Sequence, residues 1–209
     1  MIAERATTVR GGAEALEARI ALPAGARLGV VVAHPHPLYG GDMDSPVVAR
    51  IVEVCGGRGL ATLRFNFRGI GASTGRHDEG RGEQGDIRAS LAHLQTSLGE
   101  GARVALAGYS FGAAVAAATA ATVRLAGLAL AAPPMRVSKL RLPIGLSGPM
   151  LVVVGAEDQY CPAASLDELR TELPAATIVV IEGADHFFFG SLTPLGDAIG
   201  AWADALLAS

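Results

Sequence analysis

The sequence contains few of the residues that mark disulfide-rich or nucleic-acid-binding proteins. Only Cys55 and Cys161 are cysteines, too few for a disulfide framework, so we expect two reduced thiols in a cytoplasmic protein. Lysine occurs once, and the arginines that make up the rest of the 17 basic residues are spread along the chain. Because nucleic-acid-binding surfaces need clustered basic residues, we expect no nucleic-acid partner.

Long apolar runs are also missing. The alanine-rich stretch at 113–121 is too short to span a bilayer and is soon followed by Arg124. The first residues, 1–5, lack the charged-then-apolar pattern of a secretion signal. We therefore expect a cytoplasmic protein with no membrane partner.

What the sequence does contain is typical of a compact globular chain. Hydrophobic residues make up 50% of it, charged residues make up 18%, and the net charge is −3. A length of 209 residues suits one domain of ordinary size. With no internal repeat and no linker in the sequence, we expect a single domain over 1–209.

Short β-branched runs alternate with segments of helical length, which predicts an α/β fold with a mostly parallel sheet. Strands are predicted at 7–10, 16–22, 28–33, 61–66, 103–107, 125–131, 150–154 and 177–181. Helices are predicted at 47–55, capped by Ser45 and ended by Gly56 and Gly57, and at 86–98, 111–122, 163–173 and 197–207. Near-continuous apolar strands indicate a sheet covered by helices on both faces, with the first hairpin as an antiparallel edge. The segments 68–85 and 133–149 are expected to be loops, the second too short for a cap domain.

The pattern Gly-x-Ser-x-Gly occurs twice, around Ser73 and around Ser110. Ser73 lies in a polar stretch that cannot start a helix with an apolar face. Ser110 follows a predicted buried strand and precedes an alanine-rich helix, and a serine at such a turn is exposed as a nucleophile at the carboxyl end of a sheet. The context favours Ser110, whose alternative role is that of a simple helix cap.

A nucleophilic serine needs a base, and the base needs an acid that orients it. Asp158 and His186 each follow a predicted strand, so both lie where ligands bind in open α/β sheets. The rival acids are Glu157, which is expected to be a solvated carboxylate, and Asp185, which is too close to His186 in sequence to orient its ring. Serine, then acid, then histidine is the order that this geometry requires.

Five motifs together give the chain a resemblance to a known family. They are HPHPLYGG at 34–41, FNFRGIGAS at 65–73, GYSFG at 108–112, GAED at 155–158 and GADHFF at 183–188. With these motifs in this order, the chain resembles the α/β-hydrolases throughout its length, and most of all the small, cap-less bacterial hydrolases related to dienelactone hydrolases and carboxylesterases. The resemblance implies a cap-less α/β-hydrolase fold, with Ser110 as nucleophile, Asp158 as acid and His186 as base. Dienelactone hydrolases have a cysteine in the nucleophile's place, so the serine here favours ester hydrolysis.

Two backbone amides are expected to form an oxyanion hole at the substrate carbonyl. One is that of Phe111, the residue after the predicted nucleophile. The other should come from the HPHP segment after the strand at 28–33, whose two prolines have no N–H to donate. His36 is the first candidate, because it aligns with the residue that supplies this amide in the family, and Leu38 is the second.

The remaining histidines have weaker assignments. His34 and His36 would form a metal site only with the aspartates that follow them, and no Cys or carboxylate cluster stands at metal spacing. We therefore expect neither a metal nor a cofactor. His77, in the polar loop, and His93, in a predicted helix, are expected to be surface residues.

The predicted activity is hydrolysis of short-chain carboxylic esters through an acyl-enzyme intermediate, by a monomer or homodimer acting on a small-molecule ester. The apolar walls of the site are expected from Leu38, Tyr39, Met135, Tyr160 and Phe187, with Phe111 and Phe188 beside them. The same three catalytic groups would serve an acyltransferase, a thioesterase or a peptidase. A non-catalytic binding protein on a hydrolase scaffold is the alternative from another class, because fold does not imply function.

Overall fold

An eight-stranded sheet forms the centre of the structure, a computed structural model that describes residues 3–136 and 146–209. The strands are β1 (Arg5–Gly11), β2 (Glu14–Ala21), β3 (Leu28–Ala33), β4 (Ala61–Phe65), β5 (Arg103–Tyr109), β6 (Leu128–Ala131), β7 (Met150–Gly155) and β8 (Thr177–Ile181). The helices are α1 (Pro46–Gly57), α2 (Arg81–Leu98), α3 (Phe111–Ala120), α4 (Ala163–Glu172) and α5 (Leu192–Ala208), and Pro37–Tyr39 form a short 3-10 turn.

The order of the strands brings the predicted site residues to one edge of the sheet. The order is β1-β2-β4-β3-β5-β6-β7-β8, with β2 antiparallel to both of its neighbours and the other pairs parallel. The predicted mostly parallel sheet with an antiparallel N-terminal edge is therefore confirmed. Because β3 to β8 run in the same direction, the loops that follow them converge at their carboxyl ends.

Helices cover both faces of the sheet, and this explains why its central strands are apolar throughout. Val31 of β3 packs in the core formed with α2 and α3, whereas Val30 packs in the core formed with α1 and α5. Both side chains are fully buried, and burial of one valine contributes about 1.5–3 kcal/mol. Among the helices of the described residues, none is long and apolar enough to cross a membrane.

Two helices begin earlier than the sequence predicts. α2 begins at Arg81 rather than at 86, because the carboxylate of Glu83 accepts the N–H of Gly80 at 2.8 Å and so closes the first turn in spite of the surrounding glycines. α5 begins at Leu192 rather than at 197. The earlier start of α2 matters for the site, because it draws the polar loop before this helix inward.

The start of α1 is as predicted and its end is not. Ser45 stands at the N-cap with Pro46 after it, although the serine side chain makes no capping hydrogen bond within the described residues. The helix continues through Gly56 and Gly57, so the prediction that these glycines end it was wrong. A glycine inside a helix costs about 1 kcal/mol, which the packing of α1 on the sheet can offset. Part of the predicted loop at 133–149, residues 137–145, lies outside the described residues.

Candidate active site

The predicted nucleophile lies at a sharp turn between β5 and α3, the elbow formed by residues 108–112. Ser110 has φ +53° and ψ −117°, a backbone conformation that is strained for any residue with a side chain. Its N–H donates to the carbonyl of Ala131 on the neighbouring strand at 2.9 Å, which holds the turn against the sheet. This is the strand-turn-helix context that the sequence predicts for Ser110.

The two glycines of the elbow are required because backbone atoms lie where a side chain would stand. A Cβ on Gly112 would collide with the carbonyl oxygens of Ala33 and His34 at the end of β3. A Cβ on Gly108 would collide with the carbonyl of Gly112 itself. Since backbone cannot move aside as a flexible side chain can, the elbow needs glycine at 112 to fit against β3 and glycine at 108 to turn this tightly.

Replacing Gly112 with alanine is expected to lower the free energy of unfolding by about 3 kcal/mol, because the added methyl group forces α3 away from β3. Urea denaturation followed by circular dichroism measures the change. Gly56→Ala in α1 is the matched control, since its Cβ would meet nothing within 4 Å. This control is expected to be neutral or to stabilise the protein by up to about 1 kcal/mol. Equal stability of the two variants would contradict the packing argument.

Ser110, His186 and Asp158 form one chain of hydrogen bonds, although they are far apart in sequence. The Oγ atom of Ser110 lies 2.9 Å from Nε2 of His186. Nδ1 of the same ring lies 3.0 and 2.9 Å from the two carboxylate oxygens of Asp158. With the Nδ1–H donating to the carboxylate, Nε2 is unprotonated and can accept the proton of the serine hydroxyl.

The Asp158 carboxylate is held in place by backbone amides as well as by the histidine. Asp158 follows β7, and its Oδ1 accepts the N–H groups of Tyr160 and Cys161 at 2.8 and 3.2 Å. The Asp158 side chain is fully buried, and the His186 side chain is 7% exposed. A buried carboxylate fixed in this way can orient an imidazole and stabilise positive charge on it.

The side chains that could have served as acid or nucleophile instead are exposed, hydrogen-bonded to other groups or unreactive. Glu157 is exposed, as expected of a solvated carboxylate, and Asp185 accepts the N–H groups of Phe187 and Phe189 at 3.0 and 3.1 Å. Cys161 is buried, and burial raises the pKa of its thiol to about 12, so the thiol stays protonated. These positions leave the predicted roles with Asp158 and Ser110.

His34 is a buried histidine whose two ring nitrogens both make hydrogen bonds. Its Nδ1 donates to the carbonyl of Pro35 at 2.7 Å, and its Nε2 accepts the N–H of Phe67 at 3.0 Å. A metal site that pairs His34 with His36 has therefore no support in this geometry. Across residues 3–136 and 146–209, no three His, Cys, Asp or Glu side chains form a group that could hold a metal ion.

The protonation of His34 predicts a loss of stability in acid. Burial lowers the pKa of His34 to about 4, whereas a histidine in the unfolded chain takes up its proton near pH 6.5. The contribution of the neutral ring is therefore full above pH 6.5 and is lost as the pH falls towards 4, by about 3 kcal/mol in total. In His34→Gln, the side-chain oxygen can still accept the Phe67 N–H. We expect the free energy of unfolding of this variant to fall less steeply between pH 6.5 and 4 than that of the unaltered protein. If the free energy of unfolding fell equally with pH in the variant and in the unaltered protein, the prediction would be contradicted.

The amides predicted to bind the oxyanion are free to donate. Within the described residues, neither the N–H of Phe111 nor that of His36 has a hydrogen-bond acceptor. The N–H of Leu38, the second candidate, donates to Nδ1 of His36 at 3.3 Å. The rings of His36 and Phe111 lie 4.8 Å apart, so the two residues with free amides are neighbours. This arrangement favours His36 over Leu38.

The second Gly-x-Ser-x-Gly match has a structural role. The Oγ of Ser73 donates to the carbonyl of Asn66 at 2.8 Å and accepts the N–H of Glu17 at 2.9 Å. The Glu17 carboxylate accepts from the Asn66 side chain at 2.8 Å and from the Ala72 N–H at 2.9 Å. These bonds tie the loop after β4 to the hairpin of β1 and β2, and no helix starts at Ser73, as its polar context predicts.

Comparison with models of known protein families gives a match for most of the chain. Residues 26–194 match the family described as the alpha/beta hydrolase domain. The chain belongs to the alpha/beta hydrolase family.

Relatives of this alpha/beta hydrolase occur in several bacteria. An uncharacterized protein of Rickettsia prowazekii is 32% identical over 168 residues, which cover 76% of this chain and 71% of the relative. A solved alpha-beta serine hydrolase homologue from Coxiella burnetii is 33% identical, with a TM-score of 0.86 over 94% of this chain and 96% of that one. A solved serine hydrolase without a lid from Xanthomonas campestris is 30% identical, with a TM-score of 0.88 over 96% of this chain and 94% of that one. The predicted resemblance to small, cap-less bacterial α/β-hydrolases is therefore confirmed.

Two aromatic residues predicted to line the substrate site of this hydrolase lie against His186. The ring centroids of Tyr160 and Phe187 are 4.6 and 5.4 Å from that of the imidazole. Phe188 is fully buried behind Tyr109, so the prediction that it lines the site was wrong. Alternate residues of this loop point in opposite directions, which leaves Phe187 exposed and Phe188 in the core.

The other predicted wall residues differ in how far they are exposed. Tyr39 is 86% exposed, with its ring 4.7 Å from that of His36, and Leu38 beside it is 68% exposed. Met135 is partly buried against the core on the α3 side of the sheet. Exposed apolar side chains next to the elbow are suited to contact with a substrate, because they lose water when one binds.

His77 belongs to this region, although the sequence predicts a surface role for it. Its side chain is 13% exposed, and its ring lies 5.4 Å from that of Phe111 and 5.2 Å from that of His36. The signal that could have revealed this is Glu83, which stands three residues after Gly80 as in a capping box. A helix that begins there brings the preceding loop, and His77 with it, towards the elbow.

Proposed function

We propose that this protein is a serine hydrolase that cleaves short-chain carboxylic esters through an acyl-enzyme intermediate. The observation that carries the proposal is the continuous chain of hydrogen bonds from the Ser110 hydroxyl through His186 to the buried carboxylate of Asp158. A serine hydroxyl becomes nucleophilic at neutral pH only with such a base beside it. The strained backbone of Ser110 supports the same role, because strain of this kind is found at functional sites.

In the proposed mechanism, Oγ of Ser110 attacks the ester carbonyl carbon while Nε2 of His186 takes the hydroxyl proton. The carbonyl oxygen becomes an oxyanion, which accepts hydrogen bonds from the amides of Phe111 and His36. One such donor typically contributes about 3–4 kcal/mol of transition-state stabilisation. As the tetrahedral intermediate collapses, the imidazolium gives its proton to the departing alcohol. Water, deprotonated by the same histidine, then releases the acid and restores the serine.

The proposed preference for short acyl groups follows from the openness of the site. The apolar side chains next to the elbow, Leu38, Tyr39 and Phe187, are 68%, 86% and 53% exposed. A short acyl group can be held by contacts close to the elbow, whereas the end of a long chain would remain in water. We therefore propose acetyl to butyryl esters as substrates, with little dependence on a lipid interface.

A series of p-nitrophenyl esters of increasing acyl length tests the proposal, together with labelling by a fluorophosphonate probe. We expect the acetate and butyrate esters to be hydrolysed fastest, and the probe to label the protein but not its Ser110→Ala variant. Hydrolysis at the background rate without labelling would overturn the proposal and favour a non-catalytic binding protein. Labelling without ester hydrolysis would favour acyl transfer, or cleavage of thioesters or peptides, by the same groups.

A further inference from the structure

A second group of ionisable side chains lies beside the proposed oxyanion hole and has no part in the mechanism above. It consists of His36, His77 and Glu83, which come from the segment after β3, the loop before α2 and the first turn of α2. Both imidazole rings contact Phe111, with centroid distances of 4.8 and 5.4 Å. Because Phe111 follows Ser110 directly, this histidine pair borders the place where a substrate would bind.

The tautomer of His36 is set by a backbone amide. Its Nδ1 accepts the N–H of Leu38 at 3.3 Å and so carries no proton, which leaves the proton on Nε2. Burial, and to a smaller degree the nearby charge of His77, lowers the pKa of His36. The neutral ring offers its Nε2–H as a donor, and this atom has no hydrogen-bond partner in the described part of the chain.

The orientation of His77 is set by a buried carboxylate. Glu83 is fully buried, and its oxygens accept the N–H groups of Asp78 and Gly80, each at 2.8 Å. Nδ1 of His77 lies 3.0 Å from the same carboxylate, close enough for an ion pair but poorly aligned for a hydrogen bond. As the cation of this ion pair, His77 would carry an N–H on both ring nitrogens. Its Nε2 has no hydrogen-bond partner among the described residues.

The other charges around His77 are largely paired with one another. In its own loop, Asp78 and Glu79 lie 3.1 and 3.8 Å from the guanidinium of Arg81. From α2, Glu83 lies against the Nδ1 side of the ring, and from the segment after β3 the neighbour is the neutral His36. In its ion pair with Glu83, His77 would place an N–H donor beside that of the neutral His36, both next to Phe111, while the Glu83 carboxylate balances the charge.

We propose that His36 and His77 form a subsite for a carboxylate carried by the ester substrate, a specificity that rests on the proposed function. A carboxylate has two oxygens that can accept from two neighbouring donors, and hydrogen bonds with charged partners are stronger than neutral ones. The class of substrate is a half-ester of a short dicarboxylic acid. No bond forms or breaks at this subsite, which acts only through binding and orientation.

The test compares two ethyl esters of nearly equal shape. Monoethyl succinate carries a carboxylate where ethyl 4-methylpentanoate carries an isopropyl group. We expect kcat/KM to be about tenfold higher for the anionic ester than for the neutral one. His77→Phe, which keeps a flat ring against Phe111, should lose the preference and retain activity on the neutral ester. His77→Gln should behave in the same way if the phenylalanine variant folds poorly. His93→Phe in α2, where the half-buried ring lies beside Thr7 of β1, is the matched control.

Each outcome decides the proposal. An equal loss on both esters in the His77 variants would mean that the residue only positions the oxyanion donors, and a preference absent from the unaltered protein or retained in the variants would also overturn the proposal. If neither ester is hydrolysed and Ser110 is not labelled, the proposed function fails. Histidine side-chain NMR of Ser110→Ala, titrated with monomethyl succinate, then tests the subsite on its own. Resonances of His36 and His77 should shift in this variant, and unshifted resonances would overturn the proposal.

Discussion

Replacing Ser110 with alanine is expected to abolish ester hydrolysis, with kcat falling by roughly 10⁴-fold or more. The substitution removes the hydroxyl that lies 2.9 Å from Nε2 of His186, so no acyl-enzyme can form. KM is expected to change little, because the groups that contact the substrate remain. Steady-state kinetics with p-nitrophenyl butyrate measures both constants, and circular dichroism shows whether the variant is folded.

The matched control makes the same substitution in the other Gly-x-Ser-x-Gly match. Ser73→Ala removes hydrogen bonds to Asn66 and Glu17 and is expected to lower the free energy of unfolding by about 1–3 kcal/mol. Its kcat should stay close to that of the unaltered protein, because Ser73 is bound to the hairpin and not to His186. Full activity in Ser110→Ala, or a folded Ser73→Ala without activity, would show that the wrong serine has been assigned.

Replacing Asp158 with asparagine is expected to lower kcat by roughly 10⁴-fold while leaving the fold intact. Oδ1 is held by the N–H groups of Tyr160 and Cys161, so the amide NH₂ must take the place of Oδ2 opposite Nδ1 of His186. Two donors cannot face each other, and the imidazole then moves its proton to Nε2. That tautomer cannot accept the proton of the serine hydroxyl.

Asp185→Asn is the control for the charge change. Asp185 is the residue next to His186, and its Oδ1 accepts the N–H groups of Phe187 and Phe189, a role that an asparagine oxygen can keep. We expect nearly unchanged kinetics and thermal stability. A similar loss of kcat in the two variants would mean that negative charge near the ring matters more than the hydrogen bond from Asp158.

The elbow could be predicted from the sequence because its conformation depends on residues next to it. The glycines at 108 and 112, a buried strand before Ser110 and small residues after it are all local features. Asp158 and His186 were also predictable, since each follows a strand whose apolar pattern is plain, and parallel strands bring their ends together. Their mutual distances, by contrast, depend on the sheet order and are visible only in the structure.

The position of His77 could not be predicted in this way. Glycines on both sides of Glu83 favour a loop by local preference, whereas the buried Glu83 carboxylate closes a helical turn there. The sequence alone also could not decide whether His36 or Leu38 supplies the second proposed oxyanion donor. Only the hydrogen bond between the Leu38 amide and the His36 ring separates them, and no sequence pattern reports the direction of one N–H. In both cases the deciding interaction is a hydrogen bond from a backbone N–H to a side chain two or three residues away.

The hairpin of β1 and β2 lies wholly outside the family match, which begins at residue 26. Even so, Glu17 on β2 is bonded to Asn66, Ala72 and Ser73. The same loop leads on to His77, which lies against Phe111. Because of these bonds, we expect the edge hairpin and this loop to unfold locally as one cooperative unit. A mutation that weakens β1 is therefore expected to disturb the rim of the proposed active site without altering any residue proposed to contact the substrate.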